Sequence, residues 1–220
     1  TRSNTSSLLS DIRGVDVPQA VVINPTSPSD VYREIERMSW SYPVIIREKG
    51  FHGGSAMSLL QQPDNEKDFY PLALDGRDFY LIQYRDCASA DGIYHKMRLA
   101  VVQGEPYIRH VIFNDHWKIH MSSRQFMNDN PKYGREEERI IKSFDREYKQ
   151  DLKPITRKMY KILGVDYFGI DCALTDTMTV YEVNANMNIL INPSPKPNIW
   201  EKPIEEIKEA ISRMVAHKVK

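Results

Sequence analysis

The chain has 220 residues, 41% of them hydrophobic, with 30 lysines and arginines against 30 aspartates and glutamates. That length suits one domain or two closely joined subdomains, and the apolar share is enough for a packed core. Balanced charge argues against a general nucleic-acid binder, whose footprint is a basic excess. No apolar run approaches the ~20 residues that span a bilayer, and the first stretch, TRSNTSSLLSDIRG, is too polar for a signal peptide. Neither nucleic acid nor a membrane is therefore expected as a partner. Two cysteines, Cys87 and Cys172, suit neither a disulfide framework nor a zinc set and point to a reducing, cytoplasmic compartment. The chain opens on Thr1, as expected of a processed chain or, better, a piece of a longer one.

In chain order, residues 17–27 hold a short strand ending in turn formers. SPSDVYREIERM predicts a helix capped by Ser29 or Asp30, with Val31, Ile35 and Met38 on one side. YPVIIRE (42–48) predicts a strand, and KGFHGGSAM (49–57) a glycine-bearing loop. RDFYLIQYRD (77–86) predicts an apolar strand with a polar end. GIYHKMRLAVVQGEPYIRHVIF (92–113) reads as two strands joined at Gly104. Residues 114–134 look irregular. A long helix is predicted over roughly 135–163, from apolar positions repeating every three or four residues. Pro154 is expected to kink it and Gly164 to end it. A hairpin over 166–188 and a last amphipathic helix with Pro203 near its first turn complete the chain.

The hairpin carries the chemistry. With a turn at Asp176-Thr177, Thr175 faces Met178, Asp171 faces Glu182 and Gly169 faces Asn184. Alternation then puts Phe168, Ile170, Cys172, Leu174, Tyr181 and Val183 on a core face. Gly169, Asp171, Ala173, Val180, Glu182 and Asn184 fall on the other. Two facing carboxylates about 5 Å apart at Cβ repel unless something compensates them. A divalent cation does so, and two hard oxygen donors plus an amide oxygen suit Mg2+ completed by phosphate and water. The alternative is a surface strand pair whose acids are satisfied by a neighbouring lysine or arginine.

Cations and glycines supply a phosphate side. A strand delivers Arg47 to a loop with Gly50, Gly53, Gly54 and Ser55, whose N–H groups form an anion-binding concavity. Arg47 is a fixed charge and bidentate donor for phosphate. Lys96 and Arg98, two apart on a strand, point to one side while Met97 and Leu99 point to the other. The ordinary alternatives are a hairpin loop and a solvated strand face. His110, His116 and His120 are too irregularly spaced for a zinc site; His110 or His120 is left as a donor to substrate or phosphate.

Taken in order, PVIIREKGFHGGSA, FYLIQYRD, DGIYHKMRLAVVQGEPYIRH and YFGIDCALTDTMTVYEVNANMN resemble the ATP-grasp superfamily. The branch that they are most similar to holds the glutathione synthetases and ribosomal-protein glutamate ligases. The resemblance runs over residues 17–190 and is most specific at the acid followed by EVN. It implies an α+β fold of two subdomains gripping a nucleotide between antiparallel sheets. The smaller subdomain lies within 1–85 and the larger in 86–220. It also implies a ligand set: Asp171, Glu182 and Asn184 for Mg2+, with Mn2+ as the alternative ion. Arg47, Gly53, Gly54 and Ser55 are implied at the ATP phosphates, Gln83 and Tyr84 at adenine, and Arg98, with Lys96 beside it, at the transferred phosphate.

Three departures stand out. Arg47 replaces the family's usual lysine. ANMN replaces the small residue, proline or glycine that often follows EVN. The usual N-terminal subdomain is lacking, so further domains of a longer chain are expected as partners. The implied activity is an ATP-dependent ligase. It joins a carboxylate substrate to an amine, peptide or thiol acceptor through an acyl phosphate. A small-molecule kinase on the same scaffold and a catalytically silent nucleotide-binding module are the alternatives.

Overall fold

The computed structural model describes residues 2–51, 56–63, 65–188, 190–192 and 197–218. It has α1 (Arg2–Leu9), β1 (Val15–Asp16), β2 (Ala20–Ile23), α2 (Pro28–Arg37), β3 (Val44–Glu48), β4 (Met57–Leu60), β5 (Phe79–Gln83), β6 (Tyr94–Val102) and β7 (Glu105–Asn114). Then come α3 (Arg124–Asp129), α4 (Pro131–Glu147), α5 (Lys149–Leu163), β8 (Tyr167–Leu174), β9 (Met178–Asn184) and α6 (Glu201–Lys218). The chain divides into two compact units, residues 1–7 with 18–86, and residues 8–17 with 87–220.

The first unit holds a sheet in the order β2-β5-β3-β4, antiparallel throughout. Along β3, Val44, Ile46 and Glu48 are buried while Ile45 and Arg47 are half-buried, which is the period-two signature of a strand with one core face. That core receives Val31 and Ile35 of α2. The helix is capped by Ser27, not by Ser29 or Asp30 as expected. Ser27 Oγ accepts from Asp30 N, and the Asp30 carboxylate accepts from Ser27 N, a reciprocal capping box with Pro28 in the first turn. Strand β4 was not anticipated: its four residues sit where turn-forming composition dominates the sequence.

The second unit holds a five-stranded sheet, β1-β9-β8-β6-β7, in which only β1 runs parallel to its neighbour. Met97, Leu99, Val111, Phe168, Ile170, Cys172 and Val180 line one face and pack against α4 and α5 residues such as Phe144, Leu152 and Met159. β6 and β7 are joined by Gln103-Gly104, both at positive φ (49° and 83°), as a two-residue hairpin turn requires.

The expected long helix is two helices. The break falls at Tyr148 (φ −122°), not at Pro154. Proline removes the N–H that would bond four residues back and crowds that carbonyl, so its disturbance is felt toward the N-terminus. Gly164 does close α5, in the left-handed conformation. Residues 121–129, expected to be irregular, form a short 3-10 turn and α3.

Glu137 of α4, 1% exposed, ties this region together. It accepts from Arg124 of α3 through both guanidinium nitrogens, from Val111 N at 3.2 Å and from Trp200 Nε1 at 3.0 Å. Among the described residues no helix is long and apolar enough to cross a membrane.

Candidate functional site

Four titratable side chains form one row across the larger sheet. His110 on β7 pairs with Arg98 on β6, Arg98 with Asp171 on β8, and Asp171 with Glu182 on β9. Directly paired residues share a face, so all four project from the side opposite the apolar core. The next row is Tyr107, Ala100, Gly169 and Asn184. A β-bulge lies beside each end of the charged row. On β7, Arg109 is inserted between the partners of Arg98 and Leu99. On β9, Tyr181 is inserted between the partners of Asp171 and Cys172. Bulges of this kind re-aim side chains next to functional sites.

The second bulge corrects the expected hairpin. Met178 faces Leu174, not Thr175, and three residues make the turn, closed by Thr175 N to Thr177 O at 3.0 Å. Uncorrected, that register would have set Asp171 opposite Tyr181 and turned Glu182 inward. The extra residue restores Asp171 to Glu182 and Gly169 to Asn184. The longer turn itself puts Val180 on the core face, 2% exposed and opposite Cys172, where the expected two-residue turn had put it on the site face.

Asp171 is 4% exposed. Arg98 donates Nε to Oδ1 at 2.7 Å and Nη2 to Oδ2 at 2.8 Å, and Lys96 Nζ lies 3.2 Å from Oδ2. Burial pushes this carboxyl up, but the Arg98 hydrogen bonds and the charges of Lys96 and Arg98 outweigh it and hold it at about 2. The basic partners required by the alternative reading of the hairpin are thus present. Lys96 also donates to Ile119 O at 3.2 Å. Met97 and Leu99, between and beside the two cations, are buried on the other face. Burial and the nearby Arg98, Arg124 and Arg109 push His110 well below the usual histidine range, so it is neutral.

Met187 lies on the same face. A methyl group built on Gly169 would fall 2.7 Å from Met187 Cβ, so only glycine fits beneath it. Tyr167 Oη donates to Met187 O at 2.8 Å, and Arg109 Nη2 donates to Ile191 O at 2.7 Å. Met187 packs with Ala100 and with Ile207 of α6. The departure ANMN therefore places a buried methionine over the site strand. Asn184 Oδ1 accepts from Asn186 N at 2.8 Å.

The donor set fits a magnesium ion. Asp171 and Glu182 stand opposite each other, Asn184 follows one pair further along the same face, and all three offer hard oxygens. Among the described residues no three His, Cys, Asp or Glu side chains gather as a metal cluster. His116 Nδ1 accepts from Lys118 N and His120 Nδ1 from Ser122 N, local turn contacts rather than a shared centre.

In the first unit, Arg47 sits on β3 opposite Met57 and Tyr80 and donates Nη2 to Phe51 O at 2.5 Å. Gly53, Gly54 and Ser55 lie outside the described residues. Gln83 ends β5 opposite Val44, and its Oε1 accepts from Arg85 Nη2 at 3.0 Å. Gln83, Tyr84 and Arg85 line one side of a hollow of about 330 Å³ whose other side includes Trp40, Tyr42 and Pro43. Arg109, Glu137 and Met187 escaped the sequence reading. Arg109 had a signal, as a third cation beside the Lys96/Arg98 hairpin; the other two had none.

No family model and no curated protein matches the sequence. Solved structures match its fold. The VanG D-Ala:D-Ser ligase of Enterococcus faecalis superposes with a TM-score of 0.57 at 14% identity, over 98% of this chain and 60% of that one. A RiPP-associated ATP-grasp ligase of Chryseobacterium gregarium, solved with ADP and a leader and core peptide, gives 0.54 at 14% identity over 99% and 60%. The chain has the ATP-grasp fold. The D-alanine–D-alanine ligase of Coxiella burnetii shares it, with a TM-score of 0.51 at 12% identity over 100% and 61%. The chain thus spans about 60% of the length of these ATP-grasp proteins.

Proposed function

We propose that this chain acts as an ATP-dependent ligase that activates a carboxylate as an acyl phosphate and passes it to an amine, peptide or thiol. One observation carries this reading. On an ATP-grasp fold, the row His110–Arg98–Asp171–Glu182, with Asn184 beside it, combines hard oxygen donors and a cation on one sheet face. In this reading Asp171, Glu182 and Asn184 hold Mg2+ (or Mn2+), which when bound neutralises and orients the β- and γ-phosphates. Arg98 and Lys96 stabilise the charge on the transferred phosphoryl group. Arg47, Gly53, Gly54 and Ser55 hold the other phosphates, and Gln83 and Tyr84 meet adenine. The hollow beside Gln83 and Tyr84, walled by Trp40 and Tyr42, suits a planar base.

The substrate carboxylate oxygen attacks the γ-phosphorus and ADP leaves. The acceptor nitrogen or sulfur then attacks the acyl carbon, phosphate leaves, and the acceptor loses its proton. The peptides bound to the Chryseobacterium ligase support a peptide as one substrate. The division into a smaller subdomain (1–85) and a larger one (86–220), and cytoplasmic residence, belong to the same proposal.

A second reading has an observation behind it. The engagement of Asp171 by Arg98 and Lys96 is also what a silent module would show. Glu182→Gln separates the two, because it removes charge and keeps shape. For a ligase, magnesium-dependent ATP binding falls by an order of magnitude or more while the melting temperature holds, and ADP release with acid and amine pools disappears. Unchanged ATP binding in the variant would count against the metal site, and a wild type that binds ATP but releases no ADP with any acid and amine pool would leave the silent reading standing.

A further inference from the structure

Arg98 and Lys96 occupy the oxygens that a metal needs. A carboxylate offers about four lone-pair directions, and on Asp171 the two basic side chains take three of them, at 2.7, 2.8 and 3.2 Å. The charges of the group already cancel, with Lys96 and Arg98 against Asp171 and Glu182. A divalent ion added there alone finds one direction left on Asp171, must displace an N–H to take more, and faces a guanidinium and an ammonium at close range that water only partly screens. A polyphosphate arriving with the ion reverses the sign of the problem, because it offers both displaced cations new anionic partners. The side chains have the means to move. Their donors reach Asp171 from the adjacent strand through flexible stems, and they are 23% and 16% exposed against 6% for Asp171 itself. Lys96 keeps a second acceptor in Ile119 O.

Resting on the reading of this row as the metal and phosphate site, we propose that Lys96 and Arg98 are exchangeable counter-ions. They hold Asp171 until nucleotide and metal arrive together, and then hand it over. The metal alone binds weakly, the triphosphate alone binds weakly, and each strengthens the other. By linkage the strengthening is the same in both directions. Neutral His110, paired with Arg98 on its other side, offers no competing charge.

The test is Mn2+ binding, followed by the electron paramagnetic resonance of the free ion and by calorimetry. It is made with Mn2+ alone, with a non-hydrolysable ATP analogue alone, and with both, on the full chain. In the wild type each ligand should tighten the other by about 5–150-fold, the usual span of such couplings. Arg98→Met, which keeps the stem and removes the donors, should bind Mn2+ alone about tenfold more tightly than the wild type while the coupling shrinks toward one. Mn2+ bound no more tightly by Arg98→Met, in a chain whose wild type takes up the ion–analogue pair, overturns the exchange. Lys96→Met asks the same question through the cation with the single contact and answers it even where Arg98→Met fails to fold. Its gain should be smaller, and no gain counts against the proposal. A wild type that binds neither Mn2+ nor the pair removes the site reading itself, and Glu182→Gln then behaves like the wild type.

Discussion

Asp171 and Glu137 are both buried carboxylates in the larger unit, each gripped by an arginine through two nitrogens. They differ in where the remaining donors come from. Glu137 gathers N–H groups from α3, from the β7 backbone and from Trp200 ahead of α6, so its charge is spent on holding separate elements in place. Among the described residues Asp171 is held by side chains of the neighbouring strand, and a second carboxylate, Glu182, faces it from the other side. Burial of a charge therefore does not mark a functional residue. What sets Asp171 apart from Glu137 is that its partners are side chains on flexible stems and that a second carboxylate pairs with it across the sheet.

The largest expected effect tests that contrast directly. Glu137→Ala strands Arg124 and should cost about 3–5 kcal/mol of stability, as breaking a buried ion pair does. Denaturant titration would show a lower midpoint at an unchanged slope. Asp171→Asn leaves two partly exposed cations that can turn to water, so it should cost less than half as much while abolishing magnesium-dependent nucleotide binding. Equal losses of stability would erase the distinction between the two acids. Gly169→Ala comes next. Its methyl meets Met187, for an overpacking cost of about 1–3 kcal/mol. Adding Met187→Ala should recover part of that cost if Met187 lies on the site face as described.

The smallest effect sharpens the comparison by titration. Asp171, held at about 2, keeps its charge at every pH above about 4, so its contribution is lost only in strong acid. Histidine behaves otherwise. His95 is held low by burial, and its Nε2 accepts from Leu174 N at 3.1 Å; burial holds His110 low as well. Below about pH 6.5 the unfolded chain takes up protons that these two refuse, so stability should fall as pH drops from 7.5 to 5.5, by up to about 1.4 kcal/mol per pH unit for each. His95→Gln should flatten the slope of melting temperature against pH in that window; an unchanged slope would exclude His95 as a cause.

Much of the fold was legible because strands with one core face announce themselves by alternation. The β6–β7 hairpin, β3 and β8 show it in part, while β5 is legible as a short apolar run with a polar end. The facing of Asp171 and Glu182 was legible for a poorer reason. A turn one residue longer than expected and a bulge at Tyr181 offset each other, and nothing in DTMTVYEV signals either. The break at Tyr148 was hidden because Pro154 disturbs the helix at a distance, and α3 because Ser, Asn and Asp dominate its surroundings. Glu137 was invisible within a run of charges that looks like a solvated helix face; only the packing reveals three elements converging on it. The glycine loop lies in part outside the described residues.

The inserted Tyr181 has one further consequence. In a pleated hairpin, any one-residue change in length swaps the two sides of everything beyond it, and here that would trade an acid for a valine in the interior. The bulge acts as a parity corrector. It lets the exposed turn at residues 175–177 carry an odd number of residues while the oxygens further along the strand keep their side. Shortening the turn alone and shortening the bulge alone should each scramble the acids, and the two deletions made together should return them to one side.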